Sequence, residues 1–369
     1  MFEENYLSFN RHIGTEFKLK HEMPEEILSV ALERPYGPEI KLVIDFNKGC
    51  YVMDDPDLAF VKEVLFKYKN NITGVKIPLY HDRYDYLLEE DFYLKDLEQI
   101  DLHLRLCDNE DCHSEHLDLV IQYCNSFIPK YADKLKHLGI HGMHSWQEDD
   151  NEIIISSDID IAPLPNIKSF SLSSFIFTGS SSFVNFESIT NLKLYEVEVK
   201  GIDKEDFEFR NLSVLSLRSV EEGFSVALLK KNSRSLTKLK IRFDHDDYFR
   251  FEGDSHYVYK DIKFYKLKNL EIVNLYETVA LTIIQNARNS LEEIHICDFV
   301  SKDVYQLQFG SKFKLPCVKK INFKIDFEYL LSSKLVWSLI NACNENTVIL
   351  LNNERICKPL LEYLREECV

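Results

Sequence analysis

One short pattern, apolar-x-x-apolar-x-apolar, recurs ten times along this chain of 369 residues. The copies are Ile72/Val75/Ile77, Leu97/Ile100/Leu102, Leu135/Leu138/Ile140, Ile167/Phe170/Leu172 and Ile189/Leu192/Leu194. They continue as Leu212/Leu215/Leu217, Leu236/Leu239/Ile241, Leu267/Leu270/Ile272, Leu291/Ile294/Ile296 and Val318/Ile321/Phe323. Successive copies start 22 to 38 residues apart, with Lys41–Ile44 and Val348–Leu351 as degenerate first and last copies. The last two apolar residues of a copy are two apart and share one face of a strand, and the leading one packs the approach to it. A single strand of this kind cannot bury its apolar face, whereas a stack of them buries a continuous core.

The 20-odd residues between copies must carry the chain back to the start of the next strand, so the strands should run parallel. This predicts an α/β solenoid, an arc with a parallel sheet on its concave side and helices or loops outside. Several returns have helical spacing. Pro56 precedes Leu58, Val61, Leu65 and Tyr68, and Leu117, Val120, Ile121, Cys124 and Ile128 precede Pro129. Ala280, Ile283, Ile284 and Ala287 predict another helix, as do Leu331, Leu335, Leu339 and Ala342, with Ile356, Leu360 and Leu364 closing the chain. The returns between 173 and 212 read as extended or irregular. The organisation expected is a cap or remnant over 1–38, the solenoid over 39–351 and a capping helix over 352–369.

The stretches Leu228–Ile241 and Ile283–Ile296 share one layout: helix, Asn, Ser-Leu, then strand. In this they resemble the irregular leucine-rich repeats of fungal F-box proteins, over roughly residues 40–350. The resemblance implies a repeat arc that holds a substrate for ubiquitination, with an N-terminal F-box gripping a Skp1-type adaptor. Met23, Pro24, Ile27 and Leu28 resemble the opening of an F-box and would be the adaptor contact. Pro35, Gly37 and Pro38 then break any helix and a strand-like Leu42–Phe46 follows, so the later F-box helices are missing. Residues 23–32 therefore read either as a remnant of that motif or as the polar cap a solenoid requires. The competing function is a scaffold or regulatory repeat protein with no link to ubiquitin.

Charge narrows the partners. Against 44 Lys and Arg stand 61 Asp and Glu, a net charge of −17 that repels nucleic acid and anionic membranes over most of the surface. No run is apolar enough to span a bilayer, the first residues lack the layout of a signal peptide, and nine scattered Cys suit a reducing compartment, so the cytosol or nucleus is expected.

Catalytic patterns are missing: there is no Gly-rich phosphate loop, no Gly-x-Ser-x-Gly and no His-Glu-x-x-His, so neither an enzyme nor a cofactor is expected. Cys107, Cys112, His113 and His116 gather two thiols and two imidazoles, the ligand types zinc takes, but in a run too tight to wrap one ion; a solvated acidic loop is the plainer reading. His137 and His141 should share a strand face, with His144 beyond, placed to sense pH or hold a metal, or else simply a surface pair. The excursion Phe243–Asp261, rich in Asp, Tyr and Phe, is either a binding loop or a surface insertion.

The residues that alternate with the apolar ones should line the open face of the sheet. Eight of these positions are basic (Lys76, Lys193, Arg218, Lys238, Lys240, Arg242, Lys320, Lys324) and three acidic (Asp101, Glu271, Glu293). Lys193, Arg218, Lys238, Lys240 and Arg242 fall in three neighbouring strands, with Tyr195 alongside. A cationic and aromatic floor of this kind fits an acidic or phosphorylated protein partner, because Arg binds phosphate and carboxylate with two charge-assisted bonds.

Overall fold

The structure, a computed structural model, describes residues 15–19, 40–45, 66, 69–70, 72–79, 87–89, 91–104, 121–142, 155–157, 163–178, 187–200, 209–243, 256–300, 313–325, 333–361 and 363. The chain divides into two compact units, Met1–Ser188 and Ile189–Val369. Both are α/β in type, built on open, mostly parallel sheet whose strands neighbour one another in chain order.

The first unit holds β1 (Thr15–Leu19), β2 (Ile40–Asp45), β3 (Ile72–Leu79), β4 (Gln99–Leu104), β5 (His137–His141), β6 (Ile155–Ser157) and β7 (Ser169–Thr178). β1 to β5 pair in sequence, all parallel, and β5 and the short β6 both pair with β7. The second unit holds β8 (Asn191–Lys200), β9 (Val214–Arg218), β10 (Lys238–Arg242), β11 (Asn269–Tyr276), β12 (Glu293–Val300), β13 (Lys320–Lys324), β14 (Val348–Leu351) and β15 (Glu354–Ile356). Its strands are parallel up to β14, and β15 returns antiparallel.

All thirty residues of the ten apolar copies are at most 3% exposed. Burying each such side chain contributes about 1.5–3 kcal/mol before entropy is counted. The leading residue of a copy closes the turn before the strand: the amides of Leu135, Leu212, Leu236 and Leu291 donate to the carbonyls of Tyr131, Phe209, Asn232 and Ala287. One carbonyl of each turn then accepts two consecutive amides from the next, as Thr190 O does from Ser213 and Val214, and Lys268 O from Glu292 and Glu293. Each copy thus satisfies the backbone of its neighbour, which is why no single copy is stable alone.

Helices fill some returns: α1 (Glu222–Asn232), α2 (Glu277–Ala287) and α3 (Lys334–Ala342). Ser333 caps α3, accepting from the Val336 amide at 3.3 Å and donating to the buried Glu277 carboxylate at 3.0 Å. Of the return before β5, residues 117–120 lie outside the described residues, 121–122 are α-helical, and the α-helix that the spacing suggests does not continue to Ile128. Tyr123–Phe127 is a π turn and Ile128–Tyr131 a 3-10 turn, because Pro129 offers no amide to continue an α-helical ladder.

The C-terminal segment also differs from expectation. Ile356 ends strand β15, and helical residues begin only at Lys358. Asn352 and Asn353 adopt left-handed conformations (φ 50° and 72°), the two-residue turn that sends a strand back on itself. The buried Asn322 side chain donates to Asn353 Oδ1 at 2.9 Å and helps to hold that turn. Within the Phe243–Asp261 excursion, residues 244–255 lie outside the described residues, while Tyr259 is 2% exposed and belongs to the core rather than to a binding loop. No helix among the described residues is long and apolar enough to cross a membrane.

Candidate functional site

The second unit brings the expected cationic residues onto one sheet face. Parallel register places Lys193 beside Ser216, Ser216 beside Lys240, and Lys240 beside Glu271. Two residues on, Tyr195, Arg218, Arg242 and Val273 form the adjacent row. Lys238 stands in the preceding row, between Val214 and Asn269. The burial pattern of β10, with Leu239 and Ile241 buried and Lys238, Lys240 and Arg242 not, shows strand alternation selecting this face.

The members differ in character. Lys193 and Lys238 are exposed. The Arg218 guanidinium carbon lies 3.9 Å from the centroid of the Tyr195 ring, stacked on its π face and held in place by it. Lys240 is largely neutralised by Glu271 at 2.6 Å, an acid on the next strand. Lys193, Arg218, Lys238 and Arg242 are the other cations of this face. Further along, Glu293 pairs in register with Lys320 and its carboxylate lies 3.6 Å from His295 Nε2.

Several residues next to this face carry backbone strain. Glu196, Ser219 and Asn274, each directly after a face residue, have φ of 50°, 48° and 53°. Left-handed backbone at a non-glycine residue costs about 1–2 kcal/mol. Its recurrence marks a shared backbone kink at the same level in successive copies, and β8 and β11 continue as strand beyond it.

The first unit contains a cluster that the sequence only half reveals. Register sets Asp101 of β4 opposite Gly139 of β5, with His137 and His141 two residues to either side. Because Gly139 has no side chain, the Asp101 carboxylate occupies the gap between the two rings. His137 Nε2 lies 2.9 Å from Asp101 Oδ1, and His141 Nε2 lies 3.5 Å from the same atom. His141 Nδ1 lies 3.0 Å from Ser173 Oγ, and the His103 ring stacks on it with centroids 4.6 Å apart. A Cβ on Gly139 would fall on the Asp101 carboxylate and 2.7 Å from His141 Nε2. Burial acts to raise the Asp101 carboxyl, but the hydrogen bonds and charges of His137 and His141 override it and hold it far below the usual carboxylate range.

The turn edge of the second unit forms a groove of about 760 Å³ lined by Tyr265, Lys266, Lys268, Glu292 and Lys319 among others. There the Glu292 carboxylate bridges Lys268 at 3.0 Å and Lys319 at 2.6 Å, tying successive turns together. Burial pushes the Cys124 thiol up to about 12 and the Cys343 thiol up to about 11, so neither is poised as a nucleophile. Met23, Pro24, Ile27 and Leu28, together with Cys107, Cys112, His113, His116 and His144, lie outside the described residues. Among the described residues no group of His, Cys, Asp and Glu has the arrangement to hold a metal ion.

No protein-family model matches the chain. No curated protein matches it. Among solved structures, the crystal structure of the Rad7 and Elc1 complex in yeast contains a chain that aligns with 80% of this chain and 76% of its own. The identity is 15% and the TM-score 0.39, too loose a superposition to transfer anything from that complex.

Proposed function

We propose that the strand face of the second unit is a protein-recognition surface for an acidic or phosphorylated segment, and that the chain works by binding rather than by catalysis. One observation carries this reading. Arg218 and Arg242 stand in register on adjacent strands, with Lys193 and Lys238 in neighbouring rows of the same face, in a chain whose net charge is −17. Such a concentration of cations against the overall charge steers an anionic partner to one place. Arg218, fixed against Tyr195, is positioned to fork a carboxylate or phosphate without losing further side-chain entropy.

In the fuller form of this reading the chain is a leucine-rich-repeat solenoid of the cytosol or nucleus. It serves as the substrate-holding arm of a Skp1/cullin-type ubiquitin ligase, with residues 23–28 contacting the adaptor. The support for that form is the resemblance of the repeats and of Met23–Leu28 to fungal F-box proteins.

The test is titration of a rhodamine-labelled phosphoserine- and Asp-rich peptide into the full chain by fluorescence anisotropy. Saturable binding is expected, weakened at least tenfold in a variant carrying Lys193→Glu, Arg218→Glu and Arg242→Glu. Undiminished binding by that variant retires the proposal. Co-purification with a Skp1-type adaptor, lost on deletion of residues 21–35, would support the ligase form; no co-purification leaves a scaffold or regulator unconnected to ubiquitin.

A further inference from the structure

We propose that the strand face of the first unit is a second anion-binding surface, and that protonation of His137 and His141 switches it on. It takes the same chemical class of partner, an acidic protein segment, so it deepens the reading above while resting on different residues.

Register defines one row across β2 to β7. Asp45 of β2 is level with Lys76 of β3, Lys76 with Asp101 of β4, Asp101 with Gly139 of β5, and Gly139 with Ser171 of β7. The rows to either side contribute Gln99, His137 and Ser169, and Pro78, His103, His141 and Ser173. The charged and titratable groups at the described positions are thus Lys76, Asp101 and the three imidazoles. With the imidazoles neutral, the formal charge of these positions is 0. Protonating His137 and His141 makes it +2. His103 adds little to the swing, because it stacks on His141 at 4.6 Å and two imidazolium rings so placed repel.

Three features make this a built arrangement rather than two surface histidines. The carboxylate that both rings approach is mostly shielded, with 15% of its side chain exposed, while the rings keep 21% and 22% and so remain reachable by a partner. Gly139 supplies the space without which Asp101 could not lie between them. Ser173 Oγ fixes the other side of the His141 ring. Imidazole as a class changes charge between about pH 5 and 8. An anionic segment laid on this face meets no net attraction at alkaline pH and attraction at acidic pH.

The experiment uses the full chain and a rhodamine-labelled octa-aspartate peptide, which stays ionised between pH 5.5 and 8, at constant ionic strength. Anisotropy titrations are made in a background of Lys193→Glu, Arg218→Glu and Arg242→Glu, so that the face of the second unit is silent. Affinity is expected to rise about fivefold or more from pH 8 to pH 5.5. His137→Gln with His141→Gln should abolish the rise. Asp101→Asn should tighten binding at pH 8 and flatten the profile, an outcome that a purely structural cluster would not give. Binding equal at both pH values, or a profile unchanged in both variants, overturns the inference. Loss of all pH-independent binding in the triple-Glu background with the acid-dependent part intact would instead mark the two faces as separate sites, each standing on its own evidence.

Discussion

Substituting Gly139 by alanine should loosen β4 from β5 well beyond the usual effect of adding a methyl group. The new Cβ would fall on the Asp101 carboxylate and 2.7 Å from His141 Nε2, so the carboxylate must leave the gap between the rings. The His137 bond at 2.9 Å is charge-assisted and goes with it, a loss of about 1.5–3 kcal/mol. Residual crowding adds about 1–3 kcal/mol, shared with that loss where the side chain rotates clear. We expect about 2–4 kcal/mol in all, read as amide hydrogen exchange in β4 and β5 faster by about 30- to 1000-fold. In an Asp101→Ser background the obstructing carboxylate is gone, and Gly139→Ala should then cost less than about 1 kcal/mol. Equal costs in the two backgrounds would refute the claim that Gly139 exists to seat Asp101.

Other outcomes follow from the same geometry. Asn274→Gly should stabilise the chain by up to about 1 kcal/mol in urea unfolding, and Asn274→Val should destabilise it by about 1–2 kcal/mol, since φ there is 53°. The Asp101 carboxyl is depressed in the folded state, so its contribution is present above the unfolded value of about 4 and is lost as pH falls below it. The stability difference between the native chain and Asp101→Asn should therefore shrink on acidification below about pH 4 and hold steady just above it. A double-mutant cycle on Lys240 and Glu271 should give a coupling of only about 0.2–1 kcal/mol, because 39% and 31% of their side chains are exposed.

The strands were legible in the sequence because repetition makes each apolar triplet testify for the others. All ten lie where the pattern puts them, and the buried Leu239 and Ile241 alternate with Lys238, Lys240 and Arg242 as a period of two requires. What escaped is whatever depends on register between strands. Nothing within 137–141 shows that Asp101, 36 residues before His137, will lie opposite Gly139. Nor does the sequence reveal that Lys240 will meet Glu271, which removes one cation from the expected floor. The closing hairpin did have a local signal in Asn352-Asn353, but the apolar spacing of Ile356, Leu360 and Leu364 outweighed it. Pro129, which the apolar spacing makes the end of a helix, instead sits at the start of a 3-10 turn.

Covalent lysine footprinting of the full chain, with and without the phosphoserine- and Asp-rich peptide, tests the recognition claim most directly. Lys193 and Lys238 stand exposed on the strand face, whereas Lys230 and Lys231 are exposed on the last turn of α1. The account predicts that the peptide shields Lys193 and Lys238 from acetylation and leaves Lys230 and Lys231 as reactive as before. Protection of the α1 lysines with Lys193 and Lys238 unchanged would contradict it.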